Sequence, residues 1–594
     1  MRFNFGRQER STLFGFLISR RKQSDLLCRR VRRRKIGSWT SCDRNGSLPY
    51  QNTTLCIDDR VEDLLQRMTL EEKAGQLFHN GIQMGPNGTL DMGDATARQN
   101  STYNMVGEKF MTHFNLIGQI ESVRINAEWY NRLQELALET RLGIPITLST
   151  DPRHAFTENV GTGFQAARFS QWPESLGLAA LRDPALIQKF AEIAREEYMA
   201  IGIRIGNTMG EDANLTSQLV VAYLNGFQGE EFGPHSVTTV TKHFPGGGPM
   251  ENGEDSHFTY GKNQTYPGNN LEYHLIPFKA AIAAGIITDL LRQELGFQGI
   301  VCSDWGLITD TVIRGQDMPA RAWGVEYLSE LERAARILDA GVDQFSGEQR
   351  PELIVELVKS GRVSEERLDV SLRRLLHEKF LLGLFENPFV DVDSAELVVG
   401  NPYFVRLGNE AQRKAYTLLT NKDNILPMKP SKDTKFYLEG FNATYMSDRG
   451  LQVVDTPETA DIALVRLQAP YEPRPGGFES AYHAGSLAYN SSEQARQAAI
   501  YSSVPTIVDV YLDRPAVIPE IAESAVALLG SFGSSPSAFL DVVFGVDGAE
   551  PMGKLPFDLP RSMEAVEASK EDLPFDTIDP VFRFGDGLRY QRTC

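Results

Sequence analysis

Short apolar, β-branched runs alternate with longer helical patterns along most of this chain, and that alternation restricts the folds open to it. Strand-like runs occur at residues 144–148, 236–241 and 299–302, and helical patterns such as residues 184–200 lie between them. Strands joined by helices of this length run parallel, because such a crossover returns the chain to the same edge of the sheet. We therefore predict an α/β fold with the carboxyl ends of its strands on one side, as in a (β/α)8-type barrel.

Charged side chains follow two of these runs directly. Run 236–241 leads into Lys242 and His243, and run 299–302 leads towards Asp304. In a barrel of this kind, residues at the carboxyl ends of the strands carry the chemistry. The residues alone leave two readings of the aspartate open: a catalytic carboxylate, or a cap for the following turn.

The donors and acceptors at these strand ends suit a sugar. A lysine offers three hydrogen-bond donors and a histidine one or two, which matches the hydroxyls of a carbohydrate. Asp151, which follows run 144–148, can accept from two hydroxyls at once. The alternatives are an Asx turn before Pro152 and a solvated Lys-His pair. Sugar binding explains charged residues at three strand ends together, so we favour it.

These motifs resemble glycoside hydrolase family 3, whose members are retaining, exo-acting β-glycosidases. The resemblance rests on the Lys-His-Phe text at 242–244, on Asp304 within Ser-Asp-Trp, and on two signatures at 551–557 and 584–590. It extends from about residue 60 almost to the end. It implies that Asp304 is the nucleophile that forms a covalent glycosyl-enzyme ester. It also implies a set of residues that bind the terminal sugar: Asp151, Arg153, Lys242, His243 and Trp305.

The resemblance also implies two folded domains, and 594 residues are too many for one core. We predict a (β/α)8-type barrel at 57–385, a linker at 386–409 and an α/β sandwich domain at 410–594. Residues 1–56 are predicted to be a basic, disordered segment. Within the sandwich domain the patterns predict a helix at 410–419 and strands at 434–438, 462–467, 506–511 and 525–529.

Two internal deletions are indicated by comparison with the family pattern. A predicted helix at 271–284 is followed almost at once by a second at 288–295, although a β/α unit takes about 30 residues including its strand. At 203–206 a few residues stand where the family has a strand and a loop. A lost strand exposes the edges of its neighbours. We therefore predict an incomplete barrel, with the irregularity at 203–206 and 285–288, and low or no activity.

A retaining glycosidase also needs a general acid/base, and the sequence offers more than one. In the two-domain glucosidases of the family it is a glutamate of the second domain. Glu472, in the loop after run 462–467, is our first candidate, and Glu479 in the same loop is the fallback. The alternative is an Asp-His dyad of Asp255 and His257, as in the β-N-acetylglucosaminidases of the family, because an aspartate can fix the tautomer of a proton-shuttling histidine.

The leading prediction is thus a β-glucosidase acting on a β-linked oligosaccharide or β-glycoside. The alternatives are a β-N-acetylglucosaminidase and a carbohydrate-binding pseudoenzyme impaired by the deletions. A net charge of −18 argues against a nucleic-acid partner, and no apolar run reaches the about 18 residues that a membrane span needs. The sequence has no zinc spacing, phosphate-binding loop or cysteine cluster, so we expect no metal and no cofactor.

The localisation signals point in different directions. Residues 1–42 carry twelve Lys or Arg against two acidic residues, and the apolar stretch 13–18 is short for a signal peptide and lacks a small-residue cleavage site. Eight N-x-S/T sequons, together with the habit of the family, favour secretion.

Overall fold

The computed structural model describes residues 48–96, 98–158, 163–206, 212–244, 246–283, 297–313 and 315–591. The chain divides into two compact units, residues 1–68 and 69–594. Three sequence predictions lie outside the described residues: the helix at 288–295, the deletion at 285–288 and, up to residue 47, the disordered N-terminal segment.

The described part of the first unit is small. It consists of a 3₁₀ turn, Pro49–Gln51, and helix α1, Ile57–Arg67. The helix carries Asp58 and Asp59 in its first turn and Arg67 in its last, which is the favourable arrangement for the helix dipole.

Short strands of the second unit form a mostly parallel sheet. In chain order they are β1 (Phe78–Ile82), β2 (His113–Leu116), β3 (Thr147–Ser149), β4 (Ile205–Gly206), β5 (Thr238–Thr239), β6 (Cys302–Trp305), β7 (Thr311–Ile313), β8 (Gln316–Met318) and β9 (Gln344–Ser346). Five of them pair in the order β3-β2-β1-β9-β6. β4 pairs with β5, and a parallel bridge between Leu148 and Ile203 joins this pair to β3. β7 and β8 form an antiparallel hairpin.

Helices follow most of these strands, as predicted for a β/α barrel. They are α2 (Leu70–Gln76), α3 (Val123–Leu138), α4 (Ser175–Leu181), α5 (Pro184–Ala200), α6 (Ala213–Gln228), α7 (Leu271–His274), α8 (Ile276–Ala283), α9 (Glu330–Asp339), α10 (Pro351–Lys359) and α11 (Glu365–Leu381). α5 has the predicted bounds, and its start is fixed because the Asp183 side chain accepts from two backbone N–H groups and proline occupies the first helical position.

The strands of this sheet have one apolar and one polar face. Alternate residues of a strand point to opposite faces. Buried side chains of the apolar face include Phe78, Phe114, Leu148 and Phe345. In-register neighbours on the other face include His79, His113, Asn115, Ser149 and Ser346. The interior of this barrel-like sheet is therefore polar along β1, β2, β3 and β9.

The second domain is a doubly wound α/β sandwich, as predicted. Helix α12 (Val392–Val398) precedes this domain and packs against α3 and α5 of the barrel. The helices of the domain are α13 (Pro402–Ala415), α14 (Thr444–Ser447), α15 (Ser491–Ser503), α16 (Pro519–Ser524), α17 (Pro536–Phe544) and α18 (Met563–Ala568). Its strands are β10 (Thr417–Asn421), β11 (Lys435–Glu439), β12 (Gln452–Val453), β13 (Ile462–Gln468), β14 (Thr506–Tyr511) and β15 (Ala527–Ser531). They are arranged in the order β10-β15-β14-β13-β11-β12, and only β10 is antiparallel to its neighbour.

The core of this domain is closed on both faces of its sheet. Phe436, Leu464, Ile507 and Phe539 are fully buried in one cluster, and the alternate strand residues Val508 and Leu528 are fully buried in a second. Burying a side chain of this size contributes about 2 kcal/mol before the loss of conformational entropy.

Three predicted elements differ from the structure. The predicted helix 410–419 is wrong at its end: α13 stops at Ala415, and Thr417–Asn421 forms β10, because that segment pairs with β15. The predicted strand 299–302 is shifted to β6, so that Asp304 lies within the strand instead of after it. Only two residues of run 236–241 pair as a strand, in β5.

The range predicted as a linker contains α12 and the first turns of α13. The predicted domain boundaries at 385 and 410 stay predictions. In the described part of the chain, we find no helix that combines the length and the apolar character needed to cross a membrane.

Candidate active site

An ion pair joins the carboxyl ends of β3 and β5. The Lys242 ammonium lies 2.7 Å from Oδ1 of Asp151, and Asn115 donates to the other carboxylate oxygen at 3.4 Å. Burial would raise the pKa of Asp151, but the charge and hydrogen bond of Lys242 outweigh it, and the pKa is lowered. Asp151 therefore stays an ionised acceptor at the mouth of the barrel.

Asp304 lies beside the residue that follows Lys242. Nε2 of His243 is 3.9 Å from Oδ1 of Asp304, which is too long for a hydrogen bond. That oxygen accepts from the backbone N–H of Trp305 at 2.7 Å. The second oxygen has no hydrogen bond in the part of the chain that the structure describes. Asp304 is 37% exposed, so a ligand can reach this oxygen.

The imidazole of His243 is a neutral group near pH 7. Burial is the main cause that lowers its pKa, and Lys242 adds to this, whereas Asp304 opposes it. A neutral imidazole can donate one hydrogen bond and accept another. Through these contacts the structure brings Asp151, Lys242, His243 and Asp304 together in one continuous cluster.

Arg153 lies beneath this cluster instead of within it. Its guanidinium donates to Thr150 Oγ1 and to the carbonyls of Leu116 and Gly118, at 2.5–2.6 Å. It is fully buried, stacks 3.9 Å from the centre of the Phe164 ring, and burial lowers its pKa to about 10. These contacts hold the loops after β2 and β3 together.

The predicted Asp-His dyad forms. Nδ1 of His257 lies 2.5 Å from Oδ1 of Asp255, which also accepts from the His257 backbone N–H at 2.8 Å. Burial would raise the pKa of Asp255, but the hydrogen bond from His257 outweighs it and the pKa is lowered. The His257 ring packs against Phe478 and Tyr482 of the second domain.

The two predicted glutamates of the second domain have different surroundings. Glu472 is exposed; its backbone N–H donates to Ala484 at 2.9 Å, and its carboxylate lies against Gly485. Glu479 is partly buried and accepts a short hydrogen bond from the hydroxyl of Tyr260, in the barrel loop after β5. Only Glu479 of the two thus has a bond to that loop among the described contacts.

Further contacts fix the Glu479 loop to the barrel, and no local sequence pattern predicts them. Backbone N–H groups of Phe478 and Glu479 donate to the Gln316 side chain of β8 at 3.0 and 3.2 Å. Nη2 of Arg474 donates to both carboxylate oxygens of Glu254, at 2.8 and 2.7 Å, and Nη1 lies 3.8 Å from Glu479.

Carboxylates at one end of a parallel β/α sheet, approached by a loop of a second α/β domain, fit the paired-carboxylate chemistry of a glycoside hydrolase. Residues 69–287 and 284–377 match a family model described as "Glycosyl hydrolase family 3 N terminal domain". The chain belongs to glycosyl hydrolase family 3.

Named relatives match along nearly the whole chain. Beta-glucosidase C of Emericella nidulans is 62% identical, covering 92% of this chain and 95% of that relative. The periplasmic beta-glucosidase/beta-xylosidase of Dickeya chrysanthemi is 37% identical over 92% of both chains.

Solved structures share the fold. A β-glucosidase from Erythrobacter marinus superposes with a TM-score of 0.71 at 20% identity, covering 91% of this chain and 84% of the other. The β-glucosidase of Listeria innocua in complex with isofagomine has a TM-score of 0.67 at 21% identity, covering 90% and 83%.

The comparisons also bear on the predicted deletions. The two matched segments of the family model meet at 284–287, where the sequence lacks a predicted strand. The comparison with the Emericella nidulans relative runs over 594 positions, whereas 92% of this 594-residue chain is about 546 residues. The difference between 594 compared positions and about 546 residues is about 48, so about 48 positions of that relative have no counterpart in this chain.

Proposed function

We propose that this chain is a β-glucosidase that releases terminal glucose from the non-reducing end of a β-glycoside with retention of configuration. The substrate class is supported by the 62% sequence identity that this chain shares with beta-glucosidase C of Emericella nidulans over nearly the whole length of both. The observation that carries the proposal is Asp304: a partly exposed carboxylate on β6, with one oxygen held by the Trp305 N–H and with the neutral His243 beside it.

The reaction then runs through two displacements. A carboxylate oxygen of Asp304 attacks the anomeric carbon and forms an ester, while the bond to the leaving oxygen breaks and that oxygen takes a proton from the general acid. The acid, now a base, removes a proton from water; the water oxygen attacks the anomeric carbon and releases Asp304.

The sugar would be held by the neighbours of the nucleophile. Asp151 accepts from hydroxyls, and Lys242, already ion-paired with it, donates to them. His243 adds one donor or acceptor between this pair and Asp304. We assign Arg153 a supporting role, because its guanidinium already bonds to backbone and Thr150 oxygens beneath the site.

Glu479 is our proposed general acid/base, ahead of Glu472, which reverses the order of the sequence prediction. Glu479 is bonded to Tyr260 of the barrel loop after β5, and its backbone is anchored on Gln316. Glu472 is exposed and pairs within its own loop, through Ala484. A general acid must lie within reach of the leaving oxygen, so the carboxyl that contacts the barrel loops is the better candidate.

The dyad of Asp255 and His257 supports a second candidate function, β-N-acetylglucosaminidase. Its hydrogen bond of 2.5 Å gives the geometry that a proton-shuttling histidine needs. The same imidazole also packs against Phe478 and Tyr482, which suits a structural contact between the domains equally well. Comparing hydrolysis of an aryl β-glucoside with that of an aryl N-acetyl-β-glucosaminide separates the two functions.

A mechanism-based 2-fluoroglucoside tests the proposal directly. We expect it to inactivate the enzyme and to label the peptide that contains Asp304, because the fluorine slows hydrolysis of the glycosyl ester. Asp304→Asn, which keeps the shape and removes the charge, should abolish both labelling and turnover. Labelling of another carboxylate would overturn the assignment. Glucose binding without any turnover would identify a carbohydrate-binding pseudoenzyme.

A further inference from the structure

A histidine in the polar interior of the barrel lies between β3, which leads to Asp151, and β6, which carries Asp304. His79 is on β1, in register with His113 of β2 and Ser346 of β9. Hydrogen bonds lead from its ring in two directions, one towards β3 and Asp151 and the other towards β6, which carries Asp304.

The first branch runs from Nε2. This nitrogen lies 2.7 Å from the hydroxyl of Ser149 on β3. The same hydroxyl lies 3.0 Å from the carbonyl of Phe114 and 3.2 Å from the Asn115 side-chain oxygen, both of β2. Asn115 donates in turn to Asp151 at 3.4 Å. The imidazole is therefore linked to the carboxylate that we propose as a sugar ligand.

The second branch runs from Nδ1. It lies 3.3 Å from the hydroxyl of Ser346, and that hydroxyl lies 2.7 Å from the thiol of Cys302, the first residue of β6. The ring of His79 also meets the edge of Trp305, with centroids 5.7 Å apart. Cys302 and Trp305 flank the Ser303-Asp304 pair on the same short strand.

The hydrogen bonds of the two branches also indicate which nitrogen of the His79 ring carries the proton. The Phe114 carbonyl and the Asn115 side-chain oxygen are both acceptors, so the single proton of the Ser149 hydroxyl is shared between them and the hydroxyl accepts from Nε2–H. This leaves Nδ1 as an acceptor for a proton from Ser346 or Cys302. Burial lowers the pKa of His79 to about 4, and the charge of Lys242 adds to this while Asp151 opposes it. The imidazole of His79 is therefore neutral near pH 7, as a hydrogen-bond pattern with one donor nitrogen and one acceptor nitrogen requires.

We propose that neutral His79 is a positioning residue that holds the sugar-binding carboxylate Asp151 and the nucleophile strand β6 in a fixed relation. The printed hydrogen bonds of the His79 ring go to Ser149, Ser346 and Cys302 and not to Asp151 or Asp304, so His79 acts through Asn115 on one side and through Cys302 on the other. A displacement of about 1 Å at a reacting group can cost about 100-fold in rate, so a tie of this kind affects both binding and turnover. This inference rests on the proposed function, in which Asp151 binds the sugar and Asp304 is the nucleophile.

Three variants test the proposal. His79→Leu fills the space without hydrogen bonds, and His79→Gln keeps a donor near the position of Nε2. His113→Leu is the matched control, because it makes the same change in register on β2, where the ring has no described hydrogen bond to Ser149, Ser346 or Cys302. The measurements are D-glucose affinity by calorimetry, kcat and KM for an aryl β-glucoside, and the melting temperature.

We expect His79→Leu to weaken glucose binding and to lower kcat, each by about tenfold or more. His79→Gln should recover most of both, and His113→Leu should change neither. Equal values for His79→Leu and the unchanged protein would overturn the proposal, as would a His79→Gln variant as impaired as His79→Leu. If His79→Leu does not fold, Ser149→Ala removes a single link and should weaken glucose binding several-fold; unchanged binding overturns the proposal.

A spectroscopic measurement separates this inference from the proposed function. If the unchanged protein neither binds glucose nor hydrolyses the glucoside, the proposed function fails. The imidazole nitrogen-15 shifts, assigned by comparison with His79→Gln, then decide the inference. A neutral ring protonated on Nε2 down to about pH 5 supports the network, and a charged ring or an Nδ1–H tautomer overturns it.

Discussion

Glu479 and Glu472 lie seven residues apart on one loop, yet their surroundings differ. We expect Glu479→Gln to lower kcat by about 10²–10⁴-fold on a glucoside with a poor leaving group, and far less on an activated aryl glucoside. The reason is that a proton on the leaving oxygen matters most where that oxygen is basic. On the activated glucoside, where breakdown of the glycosyl ester becomes the slow step, added azide should restore part of the activity because it attacks the ester without needing a general base.

Glu472→Gln is the matched control for that prediction: the same change in the same loop, at an exposed position. It should leave kcat on both substrates nearly unchanged. His257→Ala tests the dyad in the same assay. If His257→Ala shows the leaving-group dependence and Glu479→Gln does not, the β-N-acetylglucosaminidase mechanism replaces the glucosidase one.

Local sequence indicates Asp151 and Lys242, because each lies just after a strand-like run. Asp304 lies within β6, and its predicted role depends on the resemblance of Ser-Asp-Trp to the family pattern. The order in which we propose the acid/base candidates from the structure differs from the order predicted from the sequence. The contacts that distinguish Glu479 join residues 219 and 163 positions apart, through Tyr260 and Gln316. No local pattern encodes such contacts, so the choice between two glutamates of one loop depends on domain packing.

At the scale of elements, a buried carboxylate fixes the loop that follows β6. Glu348, after β9, accepts from the N–H groups of Ile308 and Thr309 at 2.7 and 3.2 Å and from the Thr309 hydroxyl at 2.6 Å. Burial nonetheless raises the pKa of Glu348 to about 7. The folded protein therefore holds a proton on this group that the unfolded chain releases above about pH 4.5.

The sign of the resulting pH dependence follows from that difference. The stability that Glu348 contributes is fully present below its unfolded pKa and is lost as pH rises through its folded pKa. Glutamine can keep the same bonds without ionising, since its carbonyl accepts from the two N–H groups and its amide donates to the Thr309 hydroxyl. Glu348→Gln should therefore be more stable than the unchanged protein by about 3 kcal/mol near pH 8, with no gain near pH 4.

Chemical denaturation of the two proteins across this pH range measures the effect, because contributions of all other groups cancel in the difference. A gain that is independent of pH would show that Glu348 does not hold a proton in the fold. A loss of stability near pH 8 would show that the ionised carboxylate is needed by the loop after β6.

Helices were more predictable than strands for a physical reason. α5 begins at an Asp183 cap followed by a proline, which act within a few residues, so its start follows from local sequence. β10 lies in text that predicts helix, and it becomes a strand only because β15 pairs with it from more than 100 positions away. The same dependence on distant partners shifts β6, whose Trp305 pairs with Ser346 of β9.

At the scale of the whole molecule, the sheet of the barrel presents two edges. Among the described residues, β5 consists of two residues and pairs only with β4, and β6 pairs only with β9. An unpaired strand leaves backbone N–H and C=O groups without partners and apolar neighbours uncovered. We predict that the about 48 unmatched positions in the comparison with Emericella nidulans include residues that cover these edges.

Restoring those positions is therefore expected to raise stability and activity together. We would insert the segments of the Emericella nidulans relative at 203–206 and at 285–288, singly and in combination. A closed sheet should raise the yield of soluble monomer, the melting temperature and kcat/KM for an aryl β-glucoside, because a completed barrel holds Asp304 and Lys242 in a rigid frame. The restored chain with Asp304→Asn should be inactive, which would show that the added activity depends on the Asp304 carboxylate. If the unchanged chain already matches the restored one in melting temperature and kcat/KM, the apparent deletions are ordinary loop differences and the barrel is complete without them.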